Sequence, residues 1–209
     1  KYYGDTVKTT NEHVPILITK ASNFNTACDT IDIVYGDMKY DESKTPKYTF
    51  ERYKVTYSCE PSKLPDKNAP PLPGNKFPPI NAFAVYKTKV VWDETASNWK
   101  NPRTDGNNAT YEKQLVADYI EDLVFLPIDD EGKLITPPPT TNNATKDKLY
   151  KIKTVDIALS IRSTKKFYRS DKDRTKFTLN NPLRKKTRND KYFRETIVVT
   201  AHARNMGTL

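Results

Sequence analysis

The chain has 209 residues, with 35 Lys or Arg against 26 Asp or Glu and a net charge of +9. That length buries one good core, so one domain over 1–209 is expected, and 13 Tyr with 36% apolar residues argue for a folded, β-rich domain over a disordered one. No stretch approaches the roughly 18 apolar residues of a membrane span, and the N-terminus has neither the basic region nor the apolar core of a signal peptide; the abrupt Lys1-Tyr-Tyr-Gly-Asp reads as a processing boundary.

Ile31, Ile33 and Tyr35 alternate with polar or small neighbours, which is strand periodicity. Tyr53, Val55, Tyr57 and Cys59 repeat the pattern, and Asp41-Glu-Ser-Lys-Thr-Pro46 between them carries turn chemistry, so the two runs predict a hairpin. Cys28 and Cys59 flank these strands. A lone pair of cysteines in a Lys-rich, Pro-rich chain with glycosylation-type sequons predicts a disulfide and an oxidising compartment; the alternative is two buried thiols. With only His13 and His202 for company, the pair does not make a zinc spacing, and no cofactor motif is present.

Residues 61–79 hold seven prolines. Proline lacks a ladder donor, so an extended surface excursion is expected there. A strand at 83–92 follows, then a polar loop to Asn108 that contains Trp99. From Tyr111, Leu115, Tyr119 and Leu123 recur at i, i+4 beside Val116, Ile120 and Val124, which predicts a helix over 111–124, stopped by Pro127. On that helix Glu121 points away from the packed face. Asp129-Asp-Glu-Gly132 is a turn and 136–147 a polar loop. A long strand at 149–162 carries Val155, Ile157, Leu159 and Ile161 inward, and a closing strand carries Ile197, Val199, Ala201 and Ala203 on one face.

This order resembles PilW-type minor pilins and the related J-class pseudopilins of type II secretion. Tyr2-Tyr3-Gly4 is similar to the junction that follows the family's hydrophobic N-terminal helix. Asp29-Thr-Ile-Asp-Ile-Val-Tyr35, Val55-Thr-Tyr-Ser58, Val155 to Ser163 and the terminal Arg204-Asn205 are similar to its later strands. The resemblance implies an α+β, pilin-like antiparallel sheet with a packed helix, and long Pro-rich and basic loops. It implies a filament subunit that initiates or caps a type IV pilus, outside the inner membrane, partnered by other pilin subunits and tied to the membrane only through a helix that this sequence does not contain. A J-type pseudopilin and a secreted carbohydrate- or matrix-binding adhesin are the alternatives.

Charge is concentrated at one place. Between positions 165 and 194 stand Lys165, Lys166, Arg169, Lys172, Arg174, Lys176, Arg184, Lys185, Lys186, Arg188, Lys191 and Arg194, against Asp171, Asp173 and Asp190, a surplus equal to the whole net charge of +9. Phe167, Tyr168, Phe177, Tyr192 and Phe193 are interleaved with them. Cations mixed with aromatics are what a nucleic acid or another polyanion would engage through phosphate contacts and ring stacking; the other reading is a solvated or subunit-facing loop between the last two strands. On either reading Arg184, Lys185, Lys186 and Arg188 are expected to be removable together without harm to the fold.

No catalytic constellation is legible, so the expectation is a protein that is not an enzyme. Gly-x-Ser-x-Gly, His-Glu-x-x-His and phosphate-cradling loops do not occur, and six glycines leave little for motifs of close backbone approach. His202 on a strand reads as structural, and Trp92 and Trp99 as packing. Asn108-Ala-Thr110 and Asn143-Ala-Thr145 are sequons in loops.

Overall fold

The computed structural model describes residues 14–23, 28–141, 145–177 and 184–203. Seven strands make one antiparallel ladder in the order β1-β2-β3-β4-β6-β7-β10, with the short β5 beside β4. They are β1 Ile16–Thr19, β2 Thr30–Tyr40, β3 Tyr48–Pro61, β4 Phe83–Asp93, β5 Asn98–Trp99, β6 Tyr111–Ile128, β7 Thr154–Lys166 and β10 Tyr192–His202. A separate hairpin, β8 Lys172–Phe177 and β9 Lys185–Asp190, interrupts the connection from β7 to β10.

The predicted hairpin is present, β2 against β3 from Ile31↔Tyr57 to Tyr40↔Tyr48. Cys28 and Cys59 are joined in a disulfide with their Cα atoms 5.6 Å apart. Residues 61–79 form the expected excursion, pinched by the Pro65↔Pro79 and Leu72↔Lys76 bridges. Trp99 is packed on Trp92, ring centroids 5.1 Å apart. The turn at 129–132 forms around the Asp129 carboxylate, which accepts from the amides of Glu131 and Lys133, while Gly132 adopts φ 77°.

The α+β expectation fails at one place. Residues 111–124 belong to the 18-residue strand β6, hydrogen-bonded to β4 on one side and β7 on the other; the fold is all-β with one 3-10 turn, Lys146–Lys151, among the described residues. An i, i+4 repeat shares a face in a helix, but four is also an even number, so it shares a face in a strand as well. Flanking partners decide, because a helix here would leave both β4 and β7 with open ladders. Positive φ at Lys113 and Tyr119 and register shifts along both borders bend the strand, so the supposed packed face breaks up. Leu115 is 53% exposed while Leu123 is 3% exposed.

The sheet curls until its first edge meets its middle. The amide of Asp29 donates to the Leu123 carbonyl at 3.1 Å, and Lys20 Nζ reaches the Phe125 carbonyl at 2.6 Å, across strands far apart in the ladder. The core lies along the inside of this curl, with Ile16, Ile18, Ile31, Phe83, Val85, Ile120, Leu123, Phe125, Ile152 and Val155. Ile157, Leu159 and Ile161 pack against it, as the alternation predicted, but the strand starts at Thr154 and the expected start at Leu149 lies in the 3-10 turn.

Candidate binding surfaces

Three features of the curl could do chemistry or make contacts: a buried charge cluster, an apolar groove and a cationic, aromatic rim. The cluster originates in a bulge. Ile120 faces Ile161 and Asp122 faces Ser160, so Glu121 is the extra residue on β6, and a bulge of this kind re-aims neighbouring side chains. Glu121 and Asp122 are both buried, as is Asp29 at the entrance to β2. Buried carboxylates must be paired and hydrogen-bonded. Arg184 Nε and Nη2 donate to Asp122 at 3.0 and 2.8 Å, and Arg184 Nη1 donates to Asp29 at 3.0 Å. Lys20 completes Asp29 at 2.7 Å.

Glu121 is held in the same way. Arg194 Nε donates to it at 2.9 Å, and Arg188 lies 3.5 Å away. Lys186 donates to its backbone carbonyl and sits 5.1 Å from the centre of the Phe83 ring. Burial pushes the Lys186 ammonium below its ordinary pKa, against the opposing pull of Asp122 and Glu121. Burial also works against the guanidinium of Arg184, but its hydrogen bond to Asp122 and the charges of Asp122 and Asp29 prevail and raise its pKa. Desolvation opposes ionisation of Asp190 too, yet the two-pronged contact with Arg194 holds its carboxyl below the usual range.

The expectation that Arg184, Lys185, Lys186 and Arg188 can be removed without harm is therefore overturned for three of the four, since Arg184 and Lys186 are buried against β6 and Arg188 lies by Glu121. Arg194 is spent on structure as well. The segment is not one solvated loop, because β8 and β9 are paired from Lys172↔Asp190 to Phe177↔Lys185. The side chains of Lys176 and Lys185 lie outside the described set, as do residues 178–183.

The rest of the predicted cations gather at the rim where β7 ends and β10 begins. Lys165, Lys166, Arg169 and Lys172 are exposed. Lys191 is 3.8 Å from Asp171. Arg174 stacks on Tyr168 at 3.8 Å and donates to the carbonyls of Lys172 and Ser170, both at 3.1 Å, and of Asp190. Phe167 touches Tyr168 edge-on at 5.1 Å and Phe193 at 5.4 Å. A shallow cleft of about 370 Å³ lies between Tyr168, Arg174, Thr175, Tyr192, Phe193 and Arg194. Behind it, the buried Arg162 guanidinium stacks on Tyr192 at 4.1 Å.

The groove is the feature that sequence reasoning missed. It is an open cavity of about 840 Å³ on the concave face, walled by Ile16, Ile31 and Ile33 on one side and Val155, Ile157 and Leu159 on the other, with Val116 and Ala203 at its lips. His202, read from the sequence as structural, is exposed on β10 and lines the groove. Asn108 is exposed in its turn; Asn143 lies outside the described residues. One sequence signal could have exposed the charge cluster: Glu121-Asp122 interrupts the apolar run from Ile120 to Phe125, and two acids within a buried strand require cations from elsewhere in the chain.

Comparison with known proteins finds no matching family model, no matching curated protein and no matching solved structure.

Proposed function

We propose that this chain is the extracytoplasmic part of a minor pilin-type filament subunit, acting by packing against other subunits rather than by catalysis. The observation that supports the reading is the open apolar groove. A domain working alone would leave Ile33, Val116 and Ile157 facing water along the concave face, and a contiguous apolar surface of this kind marks a place where something binds. The pilin resemblance supplies an occupant. A hydrophobic helix contributed from outside the described residues has the apolar chemistry to cover such a trough.

A second contact surface agrees with this reading. Among the described residues β10 pairs only with β7, and Ile197, Val198 and Val199 are 47%, 49% and 56% exposed along it. A free strand edge bearing apolar residues is what a neighbouring subunit would cover. The disulfide belongs with an oxidising compartment, and no helix among the described residues is long and apolar enough to cross a membrane.

The groove's volume also falls within the range of small-molecule sites, about 300–1,000 Å³, which favours an apolar-ligand carrier as the second reading. Fractionation separates the two. On the filament reading, antibody to this domain labels filaments sheared from the source cells. Val116→Asp, at a lip residue that is 53% exposed, blocks incorporation while leaving the circular dichroism spectrum unchanged. Recovery of the protein only as a free monomer that binds a lipophilic fluorophore in the groove would replace the filament reading with the carrier.

A further inference from the structure

We propose that the rim between β7 and β10 is a platform for single-stranded nucleic acid, with bases stacking on Phe167 and Phe193 and phosphates held by Lys165, Lys166, Arg169 and Lys172. The site does not depend on the filament reading, and it uses neither the groove nor the buried cluster.

The rings are offered to solvent on a fixed frame. Phe167 is 69% exposed and Phe193 38% exposed, so neither is consumed by the core. The turn carrying Phe167 is tied to the start of β10 by backbone hydrogen bonds: the amides of Phe167 and Tyr168 both donate to the Lys191 carbonyl, at 2.7 and 2.9 Å. Ser163 Oγ accepts from the Phe193 amide at 3.1 Å. Arg174, anchored by three carbonyls, presses on Tyr168 from behind. Aromatic side chains held in place but left uncovered lose little entropy when a base stacks on them.

The charge around them is available. Arg184, Lys186, Arg188 and Arg194 are committed to Asp29, Glu121 and Asp122, but none of Lys165, Lys166, Arg169 and Lys172 has an ion pair among the described residues. Lys166 makes one long contact, 3.5 Å, to the Asn68 carbonyl. That contact brings the exposed Lys67 of the Pro-rich excursion close to the rim. Of the nearby acids, Asp171 faces Lys191 and Asp190 is held by Arg194, leaving Asp173 and Glu195 exposed. The rim therefore carries a surplus of unneutralised cations beside bare rings. A duplex hides its base faces inside the stack, and a sulfated polysaccharide has none. A single strand presents both phosphate and base to this surface.

Fluorescence anisotropy of the whole protein with a labelled oligothymidylate of about 20 nucleotides tests the assignment. Binding is expected at low salt and weakens as salt rises. Changing Lys165, Lys166, Arg169 and Lys172 together to Ser lowers the slope of log K against log salt by roughly 3, at about 0.7 per phosphate contact. Phe167→Ala lowers affinity about tenfold with the slope retained, and Phe167→Trp restores it. All five positions are exposed, so the circular dichroism spectrum stays that of the parent. No binding at low salt overturns the proposal. So does a Phe167→Ala protein that binds as tightly as the parent, or equal affinity for a heparin oligosaccharide or a duplex of the same length, because each would reduce the rim to an ion-exchange surface.

Discussion

Arg184 grips both carboxylate oxygens of Asp122, 62 residues earlier in the chain, through Nε at 3.0 Å and Nη2 at 2.8 Å. With Nη1 on Asp29, this one guanidinium ties the entrance of β2 and the middle of β6 to the start of β9. Arg184→Met takes the guanidinium away from two buried carboxylates, Asp122 and Asp29, of which Asp29 keeps Lys20. Loss of about 3–5 kcal/mol is expected, read as a lowered urea midpoint. Arg169→Ser, on the exposed rim, should stay within about 0.5 kcal/mol of the parent.

Leu123 and Glu121 should prove comparably important. On a helix the two would lie on opposite faces, one packed and one wet. On the bulged β6 both are buried, at 3% and 4% exposure. Leu123→Ala should cost about 2–5 kcal/mol through the cavity it leaves. Glu121→Ala should cost about 3–5 kcal/mol by leaving Arg194 without one of its two carboxylate partners and Arg188 without its neighbour. A Glu121→Ala protein that unfolds at the parent's denaturant concentration would contradict the cluster.

Reduction tests the Cys28–Cys59 bridge. The two residues are 31 apart in sequence, and closing a loop of that length stabilises by about 3–4 kcal/mol on a chain-entropy account. Thermal unfolding should move to lower temperature in reductant, and thiol titration of the unfolded, non-reduced protein should find no free thiol.

Asp190 makes stability fall in acid. Its carboxyl is held below the usual range in the folded state, where Arg194 overcomes the cost of burial. The folded protein therefore binds fewer protons there than the unfolded chain, so this contribution is complete above the ordinary carboxylate value of 3.8 and disappears as pH falls through the lower folded value. Asp190→Asn should flatten the acid limb of a stability-against-pH curve measured by urea denaturation. An unchanged limb would exclude the Asp190–Arg194 pair as its source.

Local chemistry was readable wherever a residue's neighbours in sequence are also its neighbours in space. The β2–β3 hairpin, the Gly132 turn, the Pro-rich excursion and the alternation in β7 each follow from a few adjacent side chains, because period two, turn carboxylates and missing proline donors act over short range. The bridge was legible because just two cysteines flank paired strands.

What happens across the curl was not. The spacing of Leu115, Tyr119 and Leu123 fits a helix and a strand equally, and β4 and β7, on either side in space, selected the strand. Likewise the twelve cations between 165 and 194 look alike in sequence. The bulge at Glu121 and the approach of Arg184 to Asp29 and Asp122 divided them, drawing some inside to neutralise acids and leaving Lys165, Lys166, Arg169 and Lys172 at the rim. Composition determined how much positive charge this protein carries; the long-range contacts of β6, where burial makes an unpaired carboxylate costly, decided which of it faces water.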